Sequence, residues 1–430
     1  MNEIKWTALC DNITNIYNNV KNNKDGNVAS YIPQLAKVDP DLFGISIQTL
    51  DGKIFNIGDT DNKFCIQSCS KPISYCLALQ EHGLDHVSNH IGKEPSGNKF
   101  NAIGFDDNNK PFNPLINAGA IMSCSLIKQN EKDDVRFEHI LNTWKKIIGP
   151  DNYVGFDNAV YLSEKLTANR NYALAHIMME NNVFPQGTDI EKTLQLYFQS
   201  CSIVTDCKSL VKCATMLCNG GIIEDRKIFT PSICRDILCI MYSSGMYDYS
   251  GRWSFDIGLP AKSGVGGSIY AIIPNFGGIC TYSPRLDKNG NSVRGIQFFT
   301  ELVKSYRMHI FDTLVNGLEK KTDIKENDNN INKLYSICKS GSTEDLLELL
   351  NESELDINYS DYDGRTPLHI LIDERKYKLI LLLLKNNVNY KKKDRWNNSL
   401  ITSNDIYCKS TLLYYLTYKL VINYYFNKLK

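Results

Sequence analysis

The 430-residue sequence predicts an α+β fold followed by a shorter all-α segment. Three observations carry this. Strand-like runs stand near the start of the chain and again well after its midpoint. The stretch between them has helical spacing. The C-terminal part repeats internally. An antiparallel sheet drawn from both sequence ends of the larger part, with a helical subdomain inserted between them, accommodates the first two.

Taken in order, Phe43–Leu50 and Lys53–Gly58 are alternating, β-branched runs around Asp51-Gly52, a hairpin-turn dipeptide. The segment Phe64 to Pro72 (FCIQSCSKP) leads into Ile73–His82, which has helical spacing and ends at Gly83. From Phe112 to Tyr242 the pattern is mostly helical. Gly266–Pro274 and Gly277–Tyr282 read as a second antiparallel pair. Val293–Phe299 is expected as a further strand, running into a helix over Thr300–Phe311.

The composition then changes. Glu319 to Asn332 (EKKTDIKENDNNIN) is charged, Asn-rich and nearly free of apolar residues, which is a linker signature. Beyond it, Asp361 to His369 (DYDGRTPLH) opens a unit, and Asp394 to Leu400 (DRWNNSL) opens another 33 positions later. That period with Gly-x-Thr-Pro-Leu-His is the ankyrin signature. Leu379–Leu384 fits the second helix of a unit, and Lys333 to Asn351 supplies a degenerate unit before it. Leu412 to Phe426, interrupted by Lys419, reads as an amphipathic terminal helix. The expected domains are 1–317, a linker over 318–332, and ankyrin repeats over 333–430.

Lys and Arg total 48 and Asp and Glu total 48, so the net charge is zero. A zero balance argues against a nucleic-acid binder, whose footprint is a basic surplus. It argues equally against a polybasic membrane-surface protein. The apolar run Leu379–Leu384 is far short of the roughly 20 residues that span a bilayer. None of the 14 cysteines forms a Cys-x-x-Cys pair, which fits a reduced, intracellular chain without a zinc site. His82, His86 and His90 are four apart, but no carboxylate completes a metal motif, and no metal site is expected.

The candidate chemistry lies at Ser68-Cys69-Ser70-Lys71. A Ser-x-x-Lys at a helix start sets hydroxyl and ammonium one turn apart on one face. Serine needs a base to become a nucleophile, and a desolvated lysine can serve. Five Ser-x-x-Lys matches begin at Ser68, Ser96, Ser125, Ser209 and Ser336, and only Ser68 stands at a strand-to-helix junction. Lys262-Ser263-Gly264 precedes the glycine-rich strand, the pairing found in penicillin-recognising enzymes. The second copy, Lys339-Ser340-Gly341, falls in the ankyrin region with no strand after it.

Several ordered segments together resemble the animal kidney-type and liver-type glutaminases. They are Tyr31 to Lys37 (YIPQLAK), Phe64 to Pro72, Gly92 to Gly97 (GKEPSG) and Asn113 to Ala120 (NPLINAGA). Tyr153 to Phe156, Ser163-Glu164, Arg170-Asn171, Tyr197 to Ile203, Gly245 to Asp248 and Gly258 to Val265 continue the series. The likeness runs from Gly26 to Phe311 and resumes in the ankyrin tail. It implies a serine β-lactamase/penicillin-binding-protein-like catalytic domain that hydrolyses L-glutamine to L-glutamate and ammonia. By that resemblance Ser68 is the nucleophile that forms a γ-glutamyl acyl-enzyme, and Lys71 is its base. Tyr247 relays a proton to the departing ammonia, and Tyr31 is a second active-site tyrosine. The N–H groups of Ser68 and Val265 form the oxyanion hole. Asn117, Glu164, Asn171, Tyr197 and Tyr247 hold the substrate. An anionic Glu164 suits the substrate ammonium, and the amides suit its carboxylate and side chain.

The same resemblance implies a homo-oligomer, a dimer of dimers, and no cofactor, with inorganic phosphate as the candidate activator. Residues Phe100 to Pro111 match a loop that gates the site in the family. Gly104 stands there in place of a large aromatic, so weaker or altered phosphate control is expected. Only 30 residues precede Tyr31, without an Arg-rich, acid-poor leader, which favours a cytoplasmic enzyme. A mitochondrial one follows if the N-terminus is incomplete. Protein contacts through the ankyrin repeats are expected. Two readings compete with this one. A penicillin-recognising hydrolase or peptidase shares the motifs, and a silent scaffold would act through its ankyrin tail alone.

Overall fold

The computed structural model describes residues 3–97, 102–312, 321–322, 329–352, 356–361 and 363–428. They form two compact units, Met1–Lys325 and Glu326–Lys430. The division falls inside the charged segment 318–332, most of which lies outside the described residues.

The larger unit is built on a five-stranded antiparallel sheet. Its spatial order is Ile54–Gly58, Gly44–Thr49, Gly277–Tyr282, Ser268–Ile273 and Ala261–Ser263. The two early strands thus pair with the three late ones through Gly44–Thr49 and Gly277–Tyr282, with Ile45 opposite Thr281 and Ile47 opposite Ile279. The three central strands are buried along their whole length, because helices cover both faces. Asp51 and Gly52 turn the first hairpin as the dipeptide predicts, with Gly52 at φ 86°.

On one face the sheet packs against helices Glu3–Val20 and Val293–Ser305 around Leu9, Ile13, Ile45, Ile279, Phe298 and Leu302. The first helix has no counterpart among the sequence expectations. Its buried residues Leu9, Ile13, Ile16 and Val20 keep helical spacing, but asparagines between them dilute the signal.

The second helix corrects an expectation, since Val293–Phe299 is helix and not strand. Ser292 caps it by accepting from the Gly295 N–H at 3.2 Å. Phe298, Phe299, Leu302 and Val303 recur at helical spacing and are buried. Gly295 lets the helix lie close on the sheet, for a Cβ there would stand 2.8 Å from the Thr281 hydroxyl. Packing overrides the β-propensity of Val293 and Ile296. The helix ends at Ser305, short of the expected Phe311.

On the other face, helix Cys207–Cys218 crosses the sheet and joins it to the predicted helical subdomain between Asn117 and Ser244. The helix that opens at Lys71 breaks at Gly83 as expected, where φ is 76° and ψ 164°, and a second helical stretch then continues to Ser88. His82, His86 and His90 consequently stack, with ring centroids 5.1 and 5.2 Å apart. His82 and His90 engage the carbonyls of Leu126 and Val183.

The smaller unit contains helices Asn329–Ser340, Thr343–Glu352, Pro367–Asp373, Tyr377–Lys385 and Ile406–Lys428. Leu371, Ile380, Leu383 and Leu384 are at its core. The Thr-Pro-Leu-His segment acts as a clasp. The Thr366 N–H donates to His369 Nδ1 at 3.0 Å, while His369 Nε2 meets the Asn398 carbonyl at 2.9 Å. That ties one repeat to the next.

Candidate active site

Strand Phe64–Cys65 delivers the chain to a single 3₁₀ turn, Gln67–Ser70, and Lys71 opens the long helix. The expected strand-to-helix junction is therefore present at Ser68. The other four Ser-x-x-Lys serines lie elsewhere. Ser125 and Ser209 sit within helices Asn117–Leu126 and Cys207–Cys218, Ser336 within Asn329–Ser340, and Ser96 in a loop. Lys339-Ser340-Gly341 ends a helix, so that copy of the second motif is also accidental.

Gln67 adopts φ 49°, a left-handed conformation that costs a non-glycine residue about 1–3 kcal/mol. Tyr247 does the same at φ 54°. The two strained residues flank the chemistry, and the surrounding bonds hold them. Around Tyr247, the Ser250 hydroxyl donates to the Tyr247 carbonyl at 2.6 Å and accepts from the Met246 N–H at 3.0 Å. Asn291 Nδ2 donates to the Met246 carbonyl at 3.2 Å.

Lys71 is fully buried, with its Nζ 2.7 Å from Asn117 Oδ1 and 3.3 Å from the Leu115 carbonyl. Burial pushes its ammonium down to about 8, against the opposing pull of Cys201 and Glu164. Asn117 Nδ2 in turn donates to Asn171 Oδ1 at 2.9 Å. This chain of donors fixes both amides, so Asn171 presents its NH₂ group as a donor. Glu164 is buried and accepts from Gln67 Nε2 at 3.4 Å. Burial raises its carboxyl to about 7, while the Gln67 bond and the Lys71 charge act the other way.

Ser68, Asn117, Glu164, Asn171, Tyr197, Val265 and Tyr31 line one cavity of about 310 Å³. Seven of the eight expected positions outside the lysine thus share a wall, although Tyr31 is half exposed at its rim. Tyr247 lines an adjoining cavity of about 270 Å³ with Leu115 and Ile116. Burial drives its phenol far above the usual range, opposed by the Ser68 hydroxyl and the Val265 amide beside it.

Lys262 completes the arrangement. It is fully buried on strand Ala261–Ser263, its Nζ donates to the Ser263 carbonyl at 2.5 Å, and it lies 4.4 Å from the Tyr247 ring centroid. Burial, then the nearby Lys71 charge, lower it to about 7. Gly264 and Gly266 bring this strand against the turn that carries Ser68. Their Cβ atoms would meet the Ile66 and Cys65 carbonyls at 2.7 and 2.5 Å. Cys69 packs in the same junction, with its Sγ 3.4 Å from the Ser268 hydroxyl.

Gln67 is the wall residue that sequence reasoning missed. Its contact with Glu164 depends on the left-handed turn, which no local pattern announces. Of the expected gating loop, Phe100 and Asn101 lie outside the described residues. Asp106 to Lys110 close a turn, and Lys110 Nζ donates to the Ser88 carbonyl at 2.9 Å.

An antiparallel sheet covered by helices, with Ser-x-x-Lys at a helix start facing Lys-Ser-Gly on an edge strand, defines the serine β-lactamase-like class. Within that class, the family model described as glutaminase matches residues 26–311, and one described as ankyrin repeats (3 copies) matches 301–394. The chain belongs to the glutaminase family. It is 42% identical over 404 residues to putative glutaminase 2 of Caenorhabditis elegans, covering 92% of this chain and 66% of that one. It is 39% identical over 394 residues to the mitochondrial liver isoform of glutaminase from Mus musculus, covering 90% and 65%. This chain therefore spans just under two thirds of the length of these animal relatives. A glutaminase of Nostoc is 42% identical over 318 residues, covering 73% of this chain and 94% of its own. Among solved structures, a probable glutaminase matches with TM-score 0.67 and 32% identity over 72% of this chain and 99% of that one. Mglu in its glutamate form matches with TM-score 0.66 and 32% identity, over 72% and 70%.

Proposed function

We propose that the chain hydrolyses L-glutamine to L-glutamate and ammonia through an acyl-enzyme on Ser68. The observation that carries this is the single cavity where Ser68 meets Glu164 and the Lys71–Asn117–Asn171 chain. It offers a nucleophile at one point and partners for an α-ammonium and an α-carboxylate at others. The glutamate form of Mglu supports the choice of ligand, since that protein shares the fold.

The proposed sequence begins with Lys71, neutral after desolvation, taking the proton of the Ser68 hydroxyl. Ser68 Oγ attacks the side-chain amide carbon of glutamine. The N–H groups of Ser68 and Val265 stabilise the oxyanion. The C–N bond breaks as Tyr247 gives its proton to the departing ammonia, and Tyr247 regains a proton from Lys71. Water then hydrolyses the ester by the reverse relay. Glu164 holds the substrate ammonium, Asn171 and Tyr197 the carboxylate end, and Tyr31 closes the rim. Lys262 packs beside the Tyr247 ring and holds it in place.

Residues 1–317 constitute the catalytic domain in this reading, 318–332 the linker and 333–430 the ankyrin segment. The reaction calls for no cofactor. Inorganic phosphate acts as an activator with weaker or altered control, because Gly104 stands in place of a large aromatic in the gating loop, which the neighbouring Phe105 holds against the core. The working assembly is a dimer of dimers, and the ankyrin segment contacts other proteins. Incubation of the chain with L-glutamine tests the activity. Equimolar glutamate and ammonia are expected, and no ammonia with or without phosphate overturns the proposal.

A further inference from the structure

Two cavities meet at the groups that move protons in the proposed reaction. Ser68, Asn117 and Glu164 line the first, of about 310 Å³. Tyr247, Leu115 and Ile116 line the second, of about 270 Å³. Lys71 stands between them, with its Nζ 2.7 Å from Asn117 Oδ1 of the first and 3.3 Å from the Leu115 carbonyl of the second. The Tyr247 phenol has the Ser68 hydroxyl and the Val265 amide beside it, while the residue itself lines the second cavity.

The two cavities open separately. Thr167 and Arg170 are exposed at the mouth of the first, near the half-exposed Tyr31. Asp248 and Gly251 are exposed at the mouth of the second. Further in, the second cavity is lined by the hydroxyl residues Ser96, Ser243, Ser244 and Ser250. The mouths differ in charge as well, with Arg170 at one and Asp248 at the other. Opposite charges suit opposite traffic, a carboxylate coming in and an ammonium going out.

We infer that the second cavity is the exit for ammonia, separate from the entrance that glutamine uses, and the place from which the next nucleophile attacks. The inference rests on the proposed glutamine hydrolysis and adds a path to it. While the acyl-enzyme lasts, the glutamyl group occupies the first cavity, held at its amino-acid end by Glu164 and Asn171. The leaving nitrogen takes the Tyr247 proton and the bonding pair of the C–N bond. It therefore departs as ammonia on the side where Tyr247 stands, and that side opens on the second cavity. Serine hydroxyls there replace hydrogen bonds that ammonia makes in water. Water then arrives from the same side and attacks the ester. A small primary amine in the cavity does the same. Its nitrogen bonds to the ester carbonyl carbon, the bond from that carbon to Ser68 Oγ breaks, and the amine's proton passes to Oγ.

Partition of the acyl-enzyme between water and hydroxylamine tests the path, with glutamate and γ-glutamylhydroxamate measured together. Gly251→Leu and Ser244→Leu each narrow the second cavity. A Cβ at Gly251 meets nothing within 4 Å, so that variant adds bulk without a clash. In both, the hydroxamate-to-glutamate ratio is expected to fall by about tenfold or more, and the fall should steepen with methylamine and ethylamine. Ammonia release should slow as well, while the affinity for L-glutamate, set in the first cavity, changes by less than about twofold. Thr167→Leu, at the other mouth, should weaken substrate binding and leave the ratio as it is. A ratio unchanged in both second-cavity variants, or lowered by Thr167→Leu instead, overturns the inference and leaves the hydrolysis standing. No ammonia from the wild type overturns the hydrolysis, and the inference with it.

Discussion

In the proposed reaction, Lys71 and Glu164 are the residues expected to set the pH response. The proposed reaction needs Lys71 neutral and Glu164 ionised. Burial brings Lys71 down to about 8 and raises Glu164 to about 7. Both requirements are met more fully as pH rises, so kcat/KM should climb through this range and level off above it. A profile that falls over the same range contradicts the two assignments. Glu164→Gln removes a charged partner for the ammonium and should raise KM by about 10–100-fold. Tyr247→Phe keeps the packing but removes the proton, so kcat should fall by about 10²–10⁴ with little change in KM. Steady-state kinetics of the two variants separates binding from proton transfer.

What could be read at this scale depended on motif. Ser68 and Lys71 were legible because a strand-to-helix junction singles out one of five matches. Lys262 was legible as a motif but not as the side chain packed beside Tyr247. Glu164, Asn117 and Asn171 stand far apart in sequence and carry no local pattern, so only the family resemblance could select them. Gln67 escaped because its contact rests on a backbone conformation that its own chemistry disfavours.

Elements explain how the site is held. The end of helix Pro231–Ser244 presses on strand Ala261–Ser263 at Gly245, where a Cβ would stand 1.8 Å from the Ala261 carbonyl. Gly245 lies two residues before Tyr247, and Ala261 one before Lys262. Gly245→Ala should therefore destabilise the protein by about 1–3 kcal/mol or more and also lower activity. Denaturant unfolding and ammonia release measure the two effects, and an unchanged midpoint contradicts this reading of the contact. The sheet's first hairpin and the late pair Ser268–Ile273 and Gly277–Tyr282 followed from turn residues and β-branched runs. Val293–Ser305 did not, because a helix packed through Phe298 and Leu302 uses the same residue types as a strand. Glu3–Val20 was obscured by its polar composition, and the sheet's need for a cover reveals it only in the folded chain.

For the whole molecule, a sheet drawn from both sequence ends puts the turn that carries Ser68 and the Lys-Ser-Gly strand side by side, although nearly 200 residues separate Ser68 from Lys262. The inserted helices supply Asn117, Glu164, Asn171 and Tyr197 as the remaining wall. That division of labour was foreseeable from the pattern of strands and helices, as was the repeat period of the tail. Phosphate titration belongs to this scale as well. A weaker or altered activation is expected from Gly104, and a steep one would show that Phe105 is anchor enough for the loop.

The most direct measurement compares ammonia release from L-glutamine by the wild type and by Ser68→Ala. With Ser68 as nucleophile, the variant's kcat should fall by about 10⁴ or more while the chain stays folded and still binds L-glutamate. Equal release from both proteins would contradict the assignment of Ser68 and, with it, the acyl-enzyme route.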